Sequence, residues 1–168
     1  YLLRRLAEEK YAAPLTNIVY MGMGEPLLNY KNVMMSIERL TSPLGMGLSS
    51  RRITLSTAGV AKMIHKLGED QVKFEFALSL HAANDEKRNQ IMPINESNSL
   101  EALSGALRYF YQQTGTRVTY EYIIFDGFND GLEDAKALYE FCKIIPCKVN
   151  IIEYNPIAEA GFRNAKPE

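Results

Sequence analysis

Five short apolar runs, each followed by a polar turn and separated from the next by apolar residues at helical spacing, constrain this chain more than anything else in it. The runs are 17–21 (NIVYM), 52–55 (RITL), 74–80 (FEFALSL), 117–125 (RVTYEYIIF) and 148–154 (KVNIIEY). All are rich in Val, Ile, Tyr and Phe and have the length of strands. Apolar residues recur every three or four positions between them, which predicts helices. Val33, Ile37 and Leu40 mark one, and Val60, Met63, Ile64 and Leu67 the next. A third begins near Asn98, where Asn98 and Glu101 have capping-box spacing. It continues through Leu103, Leu107 and Phe110 to a stop near Gly115. The fourth starts near Asn129 and Asp130, is expected to bury Leu132, Ala135, Leu138 and Cys142, and ends before Pro146. Residues 85–91 suggest a further short helix, and 1–10 (YLLRRLAEEK) read as helical from the outset. Strands that alternate with helices pair in parallel through right-handed crossovers, so the fold class is α/β. A doubly wound sheet and part of a (β/α) barrel both satisfy the pattern. Five strands are too few to close an eight-stranded barrel.

Length and composition narrow the function classes. The chain has 168 residues, 46% hydrophobic and 23% charged, with a formal net charge of −1. This is one domain's worth of chain with ample apolar material for a core. The balance excludes a disordered tail and a nucleic-acid binder recognisable by charge alone. No run approaches the 18 apolar residues of a membrane span, and no secretory h-region opens the chain. Two cysteines, Cys142 and Cys147, cannot build a disulfide framework or a four-thiolate site. A cytoplasmic setting is expected. No linker divides the chain, so residues 1–168 read as a single domain. Because it opens at Tyr1, without Met and inside a helical pattern, it also reads as a piece of something longer.

Polar clusters follow every strand. Gly22-Met23-Gly24-Glu25-Pro26 comes after the first and Ser56-Thr57-Ala58-Gly59 after the second. Ser79-Leu80-His81-Ala82 closes the third, Asp126-Gly127 the fourth, and Glu153-Tyr154-Asn155-Pro156 the fifth. Each cluster alone is a βα turn. In parallel α/β folds, however, the C-terminal strand ends share one face, and ligand sites form there. Glu25, Ser56, His81 and Asn155 together therefore indicate a ligand site. Glu25 can accept from an ammonium group, while Ser56 and turn amides can donate to a carboxylate. His81 and Asn155 can read ribose hydroxyls or a base edge. An amino-acid end joined to a nucleoside end fits this set, as do other polar metabolites.

The runs MGMGEPLLNY, SSRRITLSTAGV, SLHAANDEKRNQIMPIN, VTYEYIIFDGFND and CKVNIIEYNP closely resemble the radical S-adenosylmethionine adenine methyltransferases of ribosomal and transfer RNA, the RlmN/Cfr family. The resemblance covers almost the whole chain in order, and MGMGEP combined with SLHA is a specific pair. It implies a six-stranded partial (β/α) barrel of which this chain holds strands two to six, a single incomplete core domain. Gly24 and Glu25 match the family's contact to the methionine amino group, and Ser56 matches a cofactor-binding serine. Ser79, Leu80 and His81 match the segment along the cofactor's nucleoside part, and Asn155 matches the Asn of an Asn-Pro pair after the last strand. These seven are the expected S-adenosylmethionine-binding residues, with no catalytic or metal residue in the chain.

The resemblance also implies a [4Fe–4S] cluster held by a C-x-x-x-C-x-x-C loop that would precede Tyr1, with one iron open to the cofactor. A methyl-carrying cysteine would lie beyond Glu168. The implied reaction is methylation of carbon 2 of an adenine in ribosomal RNA, transfer RNA or both, with an electron donor as further partner. Two cofactor molecules take part, one methylating the cysteine and one yielding the radical that activates that methyl group. Alternatives are the carbon-8 branch of the family, another radical enzyme such as a glycyl-radical activase, and a non-catalytic α/β nucleotide-binding module. Oligomeric state is not written in the sequence.

The remaining polar residues have plainer readings beside these. Cys142 falls on an apolar helix face and reads as a core thiol, and Cys147 as structural. His65 lies opposite its helix's apolar stripe and reads as solvated. Met21, Met23, Met34 and Met35 read as core or pocket lining. Arg51, Arg52, Lys87 and Arg88 suit RNA phosphates and a solvated surface about equally, and Arg88 also suits a brace for the loop ahead of Pro93. Glu121 alternates with Tyr120 and Tyr122, and the sequence does not say which face it takes.

Overall fold

The computed structural model describes residues 2–156 and 161–165. The chain forms α1 (Leu2–Tyr11), β1 (Ile18–Tyr20), α2 (Tyr30–Thr41), β2 (Ile53–Thr57), α3 (Ala61–Glu69), β3 (Glu75–Ser79), α4 (Asp85–Ile91), α5 (Leu100–Thr114), β4 (Val118–Ile124), α6 (Leu132–Cys142) and β5 (Cys147–Glu153). Short 3-10 turns at Pro26–Asn29, Ser50–Arg52 and Pro93–Ser97 join them. All five predicted strands form, and 85–91 is the short helix expected. Among the described residues, no helix is long and apolar enough to cross a membrane.

The strands lie in the order β1-β2-β3-β4-β5, every pair parallel. Strand order decides between the two sequence-based architectures. A doubly wound sheet reverses its order at a switch point; here each crossover steps one strand the same way. Right-handed crossovers then put the helices on one face, as in a barrel wall. The chain is a five-stranded partial (β/α) barrel.

Register shows the two faces. Tyr20, Leu55, Phe76, Val118 and Cys147 are aligned across the sheet, and all five belong to or pack on the core under the helices. Leu55, Ile64, Leu67, Leu78, Leu103, Leu107 and Phe110 are fully buried there, each worth roughly 1.5–3 kcal/mol. Because side chains alternate along a strand, the intervening residues face the hollow of the barrel. Those include Thr54, Ser56, Glu75, Ser79, Glu121 and Asn150, so this face is polar.

Three local expectations change. The N-cap of α5 is Ser99, whose hydroxyl accepts from the Ala102 amide at 3.3 Å. Asn98 serves another helix: its Oδ1 accepts from the Ala61 amide at 2.9 Å, where Val60 at the N-cap of α3 has no side-chain acceptor. In α6, Leu132 is 71% exposed and Ala135 also faces solvent. The helix instead buries Phe141, with Leu138 and Cys142 packed against the core. The Lys87–Asp134 ion pair at 2.6 Å holds its first turn in that rotation. His65 stacks on Tyr109 of α5, ring centroids 3.6 Å apart, so it lies between two helices and is only half exposed.

Candidate functional site

The C-terminal ends of β1, β2 and β3 and the turn after β1 enclose a cleft of about 630 Å³. Gly24, Glu25, Ser56, Ser79 and His81 all line it, together with Met21 and Met23. Five of the seven expected residues are thus brought together. Leu80 is not at the cleft surface: its side chain is fully buried in the core, and its carbonyl accepts from Arg88 at 3.1 Å. Strand alternation accounts for this, since Leu80 shares the parity of Phe76 and Leu78. Asn155 is exposed just past β5 and outside the cleft lining.

Glu25 ties two strand ends together. Its Oε1 accepts from the Leu27 amide at 2.9 Å and from the Thr57 hydroxyl at 2.8 Å, and its Oε2 accepts from the Ala58 amide at 2.7 Å. It therefore caps the 3-10 turn after β1 and fastens that turn to the end of β2. A carboxylate offers about four acceptor sites. The one left, on Oε2, can take an N–H of an ammonium group. Gly24 has φ +102°, which favours glycine, and an added Cβ there would meet nothing within 4 Å. The open space beside its backbone is room for a ligand. Ser56 and Ser79 place their hydroxyls 3.5 Å apart on the cleft floor.

His81 has a left-handed backbone, φ +54°. Asn129 holds it there: Nδ2 donates to the His81 carbonyl at 2.7 Å and to the Ile123 carbonyl at 2.8 Å, and Oδ1 accepts from the Phe125 amide at 2.7 Å. The imidazole Nδ1 accepts from the Ile123 amide at 3.2 Å. That bond fixes a neutral ring with its proton on Nε2, a donor for the cleft. Burial, with the Arg88 charge adding to it, pulls its pKa down to about 4.

Behind the cleft, Arg88 is fully buried. Its Nη2 donates to the Ala58 carbonyl at 2.6 Å and to the Ser79 carbonyl at 3.1 Å, Nε donates to Leu80, and Nη1 donates to Asn95 Oδ1 at 2.6 Å. One guanidinium thus clamps the ends of β2 and β3 and, through Asn95, the turn after Pro93 rather than the loop ahead of it. Gly59 makes room for it: φ is +110°, and a Cβ would sit 3.1 Å from Arg88 Nη2 and 3.2 Å from Leu103. Lys87 pairs with Asp134, while Arg51 and Arg52 lie before β2, at the opposite strand end from the cleft. Sequence reasoning missed Thr57, Ala58 and Asn129. Thr57 and Ala58 lay inside the recognised LSTAG run, whereas Asn129 looked like a helix start.

The two cysteines are remote from the cleft. Cys142 ends α6 and Cys147 begins β5, with the Cys147 thiol 3.7 Å from the Cys142 carbonyl. Burial, then the hydrogen bond and charge of Cys147, push the Cys142 thiol up to about 12. Among the described residues there is no group of three or more His, Cys, Asp or Glu that could hold a metal ion.

No family model matches the chain. It is 64% identical over 163 residues to a probable dual-specificity RNA methyltransferase RlmN of Cytophaga hutchinsonii, covering 97% of this chain and 45% of that protein. A protein of the same description from Christiangramia forsetii is 57% identical, over 92% of this chain and 44% of its own length. The crystal structure of a radical SAM methyltransferase from Sphaerobacter thermophilus superposes with a TM-score of 0.93 at 38% identity, over 98% of this chain and 48% of that one. The chain spans under half the length of these relatives.

Proposed function

We propose that the chain belongs to the RlmN family of radical S-adenosylmethionine methyltransferases and is the cofactor-holding part of an enzyme that methylates carbon 2 of an adenine in ribosomal RNA, transfer RNA or both. Residues 1–168 make up one incomplete core domain in this reading. An RNA substrate of that kind places the protein in the cytoplasm. The observation that carries the reading is convergence: residues from three strand ends, separated by up to 57 positions between Gly24 and His81, line one cleft.

The cleft suits S-adenosylmethionine. Glu25 has one acceptor site to spare for the methionine ammonium, Gly24 lets the ligand lie against the backbone, and the Ser56 and Ser79 hydroxyls supply donors and acceptors on the floor. The neutral His81 ring offers an Nε2–H to the nucleoside part. Asn155, beyond β5, is proposed to close over that part from the far side. Bound there, S-adenosylmethionine would supply a methyl group and radical chemistry. This chain's residues orient it: Glu25 fixes the amino-acid end, and Arg88 keeps β2 and β3 from separating beneath it. A [4Fe–4S] cluster does not fit the residues present, because both cysteines lie at the other end of the sheet.

Calorimetric titration of S-adenosylmethionine into the full-length, cluster-loaded protein tests the site. Glu25→Ala should weaken binding at least tenfold, and unchanged affinity would count against the assignment. Mass spectrometry of the product RNA distinguishes carbon 2 from carbon 8, the nearest alternative.

A further inference from the structure

One carboxylate on the hollow face takes no part in bracing the strand ends. Glu121 lies in the middle of β4 and is only 8% exposed. Its neighbours Tyr120 and Tyr122 both go to the core, so strand alternation turns Glu121 into the hollow. Ser79, on the cleft floor, is its register partner on β3, and Asn150 is its partner on β5. Asn150 Nδ2 donates to Glu121 Oε2 at 2.7 Å. With Ser56 beside Ser79, a polar row of four side chains crosses β2 to β5. It starts inside the cleft and leaves it between Ser79 and Glu121.

A carboxylate this buried is costly unless donors or a cation compensate it. Glu25 has three donors, whereas Glu121 has one among the described residues. None of the described ion pairs involves it. Its Oε1 accepts from no described residue and is not sealed from solvent. Asn150, having given its amide hydrogen to Glu121, leaves its own Oδ1 as acceptor beside it. Two adjacent acceptors call for a partner that can donate to them, such as an exocyclic amine or a ribose diol. The cleft is lined from the β1 to β3 side, and Asn155 lies past the end of β5. A cofactor reaching between them passes over the strand ends and leaves the deeper part of the β4 and β5 half, where Glu121 stands three residues short of the end of β4, to the second reactant.

We propose that Glu121, backed by Asn150, accepts a hydrogen bond from the exocyclic amino group of the target adenine and so selects and orients the base beside the cofactor. The inference rests on the adenine-methylating reading above and adds a base-recognition residue to it. The ribose diol of the cofactor presents the same donor chemistry, and the experiment separates the two sources.

The experiment uses the full-length, cluster-loaded protein and two RNA hairpins. One carries a single unpaired loop adenine, and the other carries purine, the same base without its amine, at that position. Fluorescence anisotropy gives the RNA affinities, and calorimetry gives that for S-adenosylmethionine. The wild type should bind the adenine hairpin roughly 10- to 100-fold more tightly than the purine hairpin, the span expected for a hydrogen bond to a charged group. Glu121→Ala should bring the adenine hairpin down to the purine value and leave S-adenosylmethionine affinity unchanged. Glu121→Gln, which keeps the size and shape of the side chain, should lose part of the discrimination with an unaltered melting temperature. Retention of the wild-type discrimination in Glu121→Ala overturns the proposal. So does a tenfold loss of S-adenosylmethionine affinity with discrimination intact, which would put the carboxylate on the cofactor's ribose. A wild type that does not bind S-adenosylmethionine overturns the underlying reading, and this inference with it.

Discussion

Arg88 is a full positive charge with no exposed surface, and its hydrogen bonds go to neutral oxygens on Ala58, Ser79, Leu80 and Asn95. Burial draws its pKa down to about 10, the Asp85 charge opposing that shift, so it stays charged at neutral pH. Arg88→Met has similar length but no donors, and it would leave three carbonyls and an amide oxygen unpaired. We expect it to cost about 3–5 kcal/mol in equilibrium denaturation, with loss of S-adenosylmethionine binding. Arg88→Lys should recover little, because an ammonium cannot reproduce the planar fork. His81 carries a pH signature. Its pKa is about 4 in the fold against an ordinary value of 6.5, so between those values the unfolded chain binds a proton that the folded chain excludes. Stability is therefore full above pH 6.5 and falls as pH drops toward 4, by on the order of 3 kcal/mol. His81→Asn, a residue that tolerates the left-handed backbone, should flatten the stability profile across that window. Parallel profiles for the two proteins would show that His81 does not titrate in this way.

At the scale of elements, turn chemistry ties both α3 and α4 to the entry of α5. Asn98 caps α3 from the entry to α5, and Asp85 Oδ1, at the first turn of α4, accepts from the Asn95 side chain at 2.8 Å and from the Leu100 amide at 2.9 Å. Asn98→Ala should cost about 1–2 kcal/mol in chemical denaturation, the upper part of the usual capping range, and hydrogen exchange should rise first in the opening turn of α3. Exchange rising first at the start of α5 would mean that Asn98 caps its own helix after all. The sequence carried α4 and the Gly115 stop of α5 plainly, because both are written in local chemistry: Asn84 before an acidic first turn, and a glycine at φ +64°. It did not carry the rotation of α6, which depends on the Lys87–Asp134 pair across 47 positions. Leu80 shows a different limit. Its period-two placement with Phe76 and Leu78 puts its side chain in the core, whereas the family resemblance implies a ligand contact for the same three-residue segment. The structure satisfies the first through the side chain, while the Leu80 backbone serves the site through Arg88.

The whole molecule separates two ends of one sheet. The polar cleft is at the C-terminal ends of β1 to β3, a placement that the alternation of strands and polar turns makes legible in the sequence. Both thiols are near the N-terminal end of β5, a strand of seven residues, so the sheet sets them roughly 20 Å from the cleft face. Two thiols, one with its pKa raised to about 12, are a poor match for a cluster that needs three or four thiolates. The 168-residue chain, incubated anaerobically with ferrous iron and sulfide, should therefore acquire no stable cluster absorption and show no methyltransferase activity. On the reading proposed above, S-adenosylmethionine should bind it only weakly, through Glu25, Ser56 and His81. A stoichiometric chromophore that survives desalting, and disappears in Cys142→Ser or Cys147→Ser, would show that these thiols do hold iron and would overturn their reading as structural.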